Sequence, residues 1–401
     1  MRIFDNPNYN FVKYRWHAVI ASLIIIGIGL GVFLTRGINL GIDFAGGANI
    51  VLKFKEPVPL GELRAKLPAA TIQQYGREAD NSVLIRLPQQ KREGDYAGQV
   101  VEQLHKDMNP EAAQKHDLNY LGSDRLAALL LQTNPENKLA SSPETASYYA
   151  ALAKRIIDRR SELGIFTDMN QVASVPGAST AATVLRNNAV IGRFNVLNQE
   201  TVGPQVGAQL QQKAILAILL SALAMGAYIW IRFDIGFGLA AIACILHDVL
   251  IAMTFLLLMN LEFSLNVVAA LLTIVGYSIN DNVVMYDRVR ENKRKIKKPL
   301  TLAEHLNLAI NQTLSRTILT AGTVFLVLVA MLVFGGEVIR GFSWILTIGV
   351  ITGTYSTLLI VPAVAIAWDR FTSKRRPAAP AAARVEAPPR EEPRKAARRA
   401  V

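Results

Sequence analysis

SLNVVAALLTIVGYSINDNVVMYDRVREN, residues 264–292, is an apolar run with an Asn-Asp-Asn triplet inside it and a charged cluster at its end. The part from 264 to 286 supplies about 20 mostly apolar residues, enough to cross a hydrocarbon core of about 30 Å at about 1.5 Å per helical residue. A carboxylate at the centre of such a helix costs about 2.5–3.5 kcal/mol, so Asp281 is a functional candidate by default. Asn280 and Asn282 flank it, and Gly276 and Ser278 are small enough to let another helix approach closely. Asp287 falls near the charged end and reads as a solvated boundary residue.

Five more runs of this kind lie at roughly 17–35, 213–231, 236–259, 317–335 and 343–368. They are grouped as one, then five, with a more polar stretch of 177 residues between the first and second, the length of a domain rather than a loop. The chain of 401 residues is 51% apolar and only 18% charged, with a net charge of +12. This composition excludes a disordered or collagen-like protein. The single cysteine, Cys244, excludes a disulfide framework. The first run follows Lys13 and Arg15, as a signal peptide would, but Thr35-Arg36-Gly37-Ile38-Asn39 offers no small-residue cleavage site. It reads as a retained signal anchor.

Lys and Arg orient the spans. With the N-terminus in the cytoplasm, the inside segments 1–16, 232–235, 286–316 and 369–401 hold 22 Lys and Arg. The short outside loops hold one, Arg340. In the large outside domain 19 basic residues nearly balance 18 acidic ones, with Lys213 at the start of the second span. The surplus therefore belongs to the cytoplasmic face, where it suits anionic lipid and implies no nucleic acid.

The expected domains are a cytoplasmic N-terminus and first span (1–35), an outside domain (36–212), a five-helix bundle (213–372) and a disordered basic cytoplasmic tail (373–401). INLGIDF and NIVLKF read as β-like runs around Gly46-Gly47, 60–67 as a helix and SVLIRL as a strand. Residues 96–107 have helical spacing and RFNVLNQETV (193–202) is strand-like, which together suggest an α+β sandwich. The Ala-rich segment 108–190, with helices at 123–132 and 145–163, reads as the helical part of an insertion placed at about 91–190. Pro204 fits the first turn of a helix that runs into the second span. From Arg375 onward Pro, Ala, Arg and Glu dominate, a composition unable to bury a core.

Two further polar sites stand out in the spans. His247-Asp248 sits near the middle of the third, one turn after Cys244. Arg316 opens the fifth, and the opposite directions of spans four and five put it in the same cytoplasmic half as Asp281. Arg favours the ionised carboxylate while desolvation favours the neutral acid, and an Asp balanced between them can load and release a proton. There is no nucleophile elbow, phosphate loop or metal spacing, hence no catalytic residue, metal or cofactor is expected. His105, His116 and His305 read as scattered, solvated singles.

Taken together, several motifs resemble the SecD/SecF family of bacterial protein-translocase membrane subunits, specifically its SecF side. They are GIDFAGG (41–47), ETVGPQVGAQL (200–210), the His-Asp pair, GYSINDNVVMYDRVREN (276–292), LSRTILTAGT (314–323), FGGEVIRGFS (334–343) and GTYST (353–357). The resemblance covers about 1–90 and 191–372. It implies a proton-driven transporter of the resistance-nodulation-division superfamily, with six membrane helices and a ferredoxin-like α+β periplasmic domain, here enlarged by the insertion. It implies a multi-pass protein of the bacterial inner membrane, with both termini cytoplasmic. It also implies a heterodimer with SecD, association with the SecY/SecE/SecG channel, YajC and a membrane insertase, and contact with exported polypeptide. The family links the fourth-span Asp and the fifth-span Arg to proton use, which here are Asp281 and Arg316. Asp248 joins them as a proton-coupling candidate, with Asn280 and Asn282 in support. GIDFAGG carries over as a structural signature.

The reading is a non-enzymatic, proton-coupled subunit of protein export. The rival is a half-size proton-driven exporter of lipids or small molecules on the same plan. That exporter needs an aromatic-lined outside cleft and a second repeat, whereas this chain is aromatic-poor outside and has no second repeat. A passive scaffold is a third reading, and the charges within the spans oppose it.

Overall fold

The computed structural model describes residues 7–89, 95–139 and 142–373. The expected tail therefore lies outside the described residues, apart from Ser373. The first membrane helix, α1 (Phe11–Arg36), starts at an Asn10 cap whose side chain accepts from the Lys13 amide. A single turn, α2 (Ile42–Ala45), leads into the external domain. Strand β1 (Gly47–Phe54), helix α3 (Leu60–Lys66), strands β2 (Thr71–Tyr75) and β3 (Ser82–Leu87) and helix α4 (Tyr96–Met108) follow. Next come β4 (His116–Asp117), α5 (Ser123–Thr133), α6 (Pro143–Leu163), α7 (Met169–Ala173), α8 (Ser179–Asn188) and β5 (Ala189–Val190). Strand β6 (Phe194–Val202) completes the domain. The chain then enters the membrane helices α9 (Pro204–Arg232), α10 (Ile235–Leu258), α11 (Leu265–Lys295), α12 (Leu302–Phe334) and α13 (Glu337–Ser373).

The external sheet is antiparallel with order β2-β3-β1-β6. Strand, helix, two strands, helix and strand in that order make the ferredoxin-like fold. Alternate residues Ala48, Ile50, Leu52 and Phe54 of β1 and Val83, Ile85 and Leu87 of β3 share one face, as the period-2 alternation of a strand requires. Leu63 of α3 and Ala97, Val101, Leu104 and Met108 of α4 pack onto that face.

Four sequence expectations change here. The run INLGIDF is not a strand: Ile42–Ala45 is a helical turn that buries Ile42 and Phe44, and only Leu40 makes a β-bridge, to Phe263. The added helical layer begins after α4 rather than at 91, because the apolar face of α4 completes the sheet's core. Helices α5 to α8 have a core of their own, including Leu130, Tyr149, Ile156, Phe166 and Leu185. Asp117 joins the two layers: it accepts from the Asn119 and Gly192 amides (2.8 and 2.9 Å) and pairs with His105 Nε2 (2.8 Å). His105, stacked on Tyr120 with ring centroids 4.0 Å apart, is thus an inter-layer joint and not a solvated single. His305 is buried as well, whereas His116 is exposed.

All six apolar runs form helices long and apolar enough to cross a membrane. Pro204 occupies the first turn of α9, and Thr301 and Glu304 form a capping box at the start of α12. Helix α13 packs against α10, α11, α12 and α1 and so forms the centre of the bundle. Glycines admit close crossings: a Cβ at Gly349 of α13 would lie 2.1 Å from the Ile274 side chain of α11. The outer faces of α1, α9 and α12 expose Leu23, Ile24, Leu220, Leu326 and Val327, as lipid contact requires.

Candidate functional site

The polar centre of the bundle is built around Asp248, which is fully buried on α10. Ser278 of α11 and Ser356 of α13 donate to its Oδ2 at 2.7 and 3.0 Å. The imidazole of His247 lies with Nδ1 2.8 Å from Asp248 Oδ1, and its Nε2 is 2.8 Å from Ser22 Oγ on α1. Ser22 Oγ is 3.3 Å from Tyr355 Oη, which donates to the Ala18 carbonyl at 2.8 Å. Three helices thus meet at one carboxylate, and His247 extends the network to a fourth, α1. In hydrocarbon no water replaces a missing partner, so such groups must satisfy one another.

The donors and acceptors limit where hydrogens can sit in this network. With one proton shared between Asp248 and His247, Nε2–H donates to Ser22, Ser22 to Tyr355, and Tyr355 to Ala18. Every donor then has an acceptor. Without that proton, His247 donates Nδ1–H to Asp248, Ser22 must reverse to donate to Nε2, and the Ser22–Tyr355 contact is left with no hydrogen between its oxygens. The arrangement can therefore store a proton and reorient on losing it.

One turn further along α11, Asn282 is also fully buried. Its Oδ1 accepts from Thr357 of α13 (2.9 Å) and its Nδ2 donates to Cys244 Sγ (3.5 Å). Asn280 does not join this group. It is exposed, because two helical positions turn it about 200° away from Asn282.

Asp281 differs in character from Asp248. It is only 4% exposed, yet it has no hydrogen bond or ion pair among the described residues. Arg316 of α12 is within its electrostatic reach but is itself exposed. It borders a cleft of about 480 Å³ shared with Arg232, Asp287, Glu291 and Gln312. Asp281 and Arg316 are therefore neighbours without direct contact, and Asp287 and Glu291 offer the guanidinium alternative acidic neighbours. The hydroxyl of Tyr277, one turn before Asp281 on the same helix, is buried without a hydrogen-bond partner and within electrostatic reach of Asp281.

The sequence reading names His247 with Asp248, and Ser278 only as a small residue; Ser22, Tyr277, Tyr355, Ser356 and Thr357 enter the site only with the structure. The legible signal was the Tyr-Ser-Thr run inside the last span, whose hydroxyls need partners in hydrocarbon. Among the described residues no group of His, Cys, Asp or Glu is arranged to hold a metal.

Six membrane helices around a buried acidic centre, carrying a ferredoxin-like external domain, define a multi-pass membrane protein with the plan of an export subunit. Residues 182–370 match the family model of the protein export membrane protein SecD/SecF, C-terminal, and residues 31–58 match that of the SecD/SecF GG motif. The chain belongs to the SecD/SecF family, on its SecF side. It is 36% identical to the protein translocase subunit SecF of Koribacter versatilis over 94% of this chain and 96% of that one. It is 49% identical to the Rickettsia felis SecF over 89% of each. Among solved structures it resembles SecDF, a translocon-associated membrane protein from Thermus thermophilus, with TM-score 0.63 and 29% identity. That match covers 91% of this chain but only 39% of the SecDF chain, so this chain spans about two fifths of its length.

Proposed function

We propose that this chain acts in protein export as a SecF subunit, paired with a SecD partner that supplies the remainder of a SecDF-like unit. In this reading the pair sits in the bacterial inner membrane with its external domain in the periplasm. It associates with the SecY/SecE/SecG channel, YajC and an insertase, and uses the proton-motive force to draw exported polypeptide outward. Asp281 is the proton-exchanging carboxylate, Arg316 its charge partner, and the Asp248–His247 pair a second proton-holding site. Binding and conformational change carry the work, with no covalent step.

The observation that carries the reading is the contrast between the two buried carboxylates. Asp248 is fixed by hydrogen bonds from three helices. Asp281 has none among the described residues and is within electrostatic reach of Arg316, which borders the cleft. One charge moved across 100 mV is worth about 2.3 kcal/mol, enough to bias a two-state unit roughly fiftyfold. The test uses inverted membrane vesicles carrying this chain and its SecD partner. Asp281→Asn or Arg316→Met should leave the two chains copurifying and abolish proton-dependent stimulation of export. Normal stimulation by both variants refutes the assignment.

A further inference from the structure

GIDFAGG has no part in the proton site, yet it lies where the external domain meets the helix that carries Asp281. The N-cap residue of α11, Ser264, makes no side-chain capping bond. The cap comes instead from 222 positions away: Asp43 Oδ2 accepts from the Leu265 amide at 2.8 Å. An acceptor carboxylate at this end also faces the positive pole of the helix dipole. The chain on either side is tied in the same way. The Phe263 amide donates to the Asn39 carbonyl (2.8 Å), and the Gly41 amide donates to the Phe263 carbonyl (2.9 Å). The rings of Phe44 and Phe263 stack with centroids 5.1 Å apart. A second tie joins Arg86 of β3 to Glu262.

We propose that the GIDFAGG segment is the mechanical link between α11 and the sheet of the external domain, with the Asp43 carboxylate as its coupling group. The proposal rests on Asp281 being the proton-linked residue. Asp281 lies 16 positions after Leu265 on one continuous helix, about 24 Å along a stiff rod. A shift of that rod reaches Asp43 directly. Only Phe44, Ala45 and Gly46 separate Asp43 from β1, an inner strand paired on both sides. The two glycines remove slack. Gly46 and Gly47 have φ of 72° and 123°, and a Cβ at Gly47 would lie 2.4 Å from the Leu87 carbonyl oxygen. On the other side, Gly207 of α9 lets the Phe44 carbonyl approach so closely that a Cβ there would sit 2.9 Å from its oxygen. The turn α2 is therefore wedged between α9 and α11 and leads straight into the sheet. The ties at Glu262 and Phe263 engage the loop before α11, so two adjacent strands, β1 and β3, follow that helix end.

The test measures proton-dependent stimulation of export in vesicles carrying this chain with its SecD partner. Asp43→Ala should lower stimulation by about fivefold, the population change expected from losing one N-cap acceptor. Asp43→Asn, which keeps an acceptor oxygen, should lose less. The pH profile of carbodiimide labelling at Asp281 should stay as in the parent, because the proton site itself is untouched. An oxidised Leu40→Cys/Phe263→Cys double variant should stimulate at least as well as its own reduced form, which lacks the Phe263 ring in the same way, since a link that moves as one piece tolerates being locked. Full stimulation by Asp43→Ala, or its abolition by the engineered disulfide of the double variant, overturns the link. Asp281→Asn run alongside separates the two ideas: if it is inactive while Asp43→Ala is fully active, the link alone has failed. Should Asp43→Ala fail to fold, the locked double variant decides.

Discussion

Replacing Asp248 by Ala should loosen the bundle, and the size of the effect can be worked from its partners. The carboxylate accepts from Ser278 and Ser356 and pairs with His247, at 2.7, 3.0 and 2.8 Å. Interhelical hydrogen bonds within membranes average about 0.6 kcal/mol and reach about 1.7, so losing the two from Ser278 and Ser356 costs about 1–3 kcal/mol, with the loss of the His247 contact on the same helix added to it. Asp248→Asn differs. Its carboxamide oxygen can still accept from both serines, while its NH₂ faces His247 Nδ1, which becomes an acceptor after a tautomer change. Nε2–H then donates to Ser22. This variant should stay within about 1 kcal/mol of the parent. Thermal unfolding of the purified protein in detergent measures both. The Ala variant should melt several degrees below the parent and the Asn variant close to it. An Ala variant that melts with the parent refutes the view that Asp248 ties the four helices together. Export assays on the stable Asn variant then isolate its proton role: loss of stimulation without loss of stability supports the Asp248–His247 pair as a proton store, and full stimulation makes Asp248 structural alone.

Glu262 gives a pH-dependent prediction. Burial pushes its carboxyl above the usual range, partly opposed by Arg86. The folded state therefore holds this proton more tightly than the unfolded chain, so its contribution to stability is full at low pH and is lost as pH rises through the raised value. Glu262→Gln should flatten that part of the pH profile of thermal unfolding, and an unchanged slope contradicts the assignment. At the other joint of the external domain, Asp117→Ala leaves the Asn119 and Gly192 amides and His105 without their acceptor and should destabilise the contact between layers by about 2–4 kcal/mol. Faster hydrogen exchange at the Gly192 and Asn119 amides checks it, and unchanged protection there refutes it.

Much of this molecule was legible in the sequence because a membrane leaves few options. An apolar run of about 20 residues must be a helix in hydrocarbon, and alternation in β1 and β3 marks a half-buried sheet. The cost of burying charge singled out Asp248 and Asp281, which the structure buries, whereas Arg316 is exposed. Local pattern misled at Ile42–Ala45, where Ile and Phe two apart mimic a strand.

Sequence alone determined the six spans, their grouping and the few charges that hydrocarbon makes conspicuous, since length and solvation energy are local properties of a segment. Tertiary structure decided which polar groups meet. It joined Ser22, His247, Ser278 and Ser356 around Asp248, left Asp281 without a hydrogen bond among the described residues, and turned Asn280 away. It also brought Asp43 to the end of a helix that begins 222 positions later. Those pairings depend on how helices cross and rotate, which is set by packing between segments far apart in the chain.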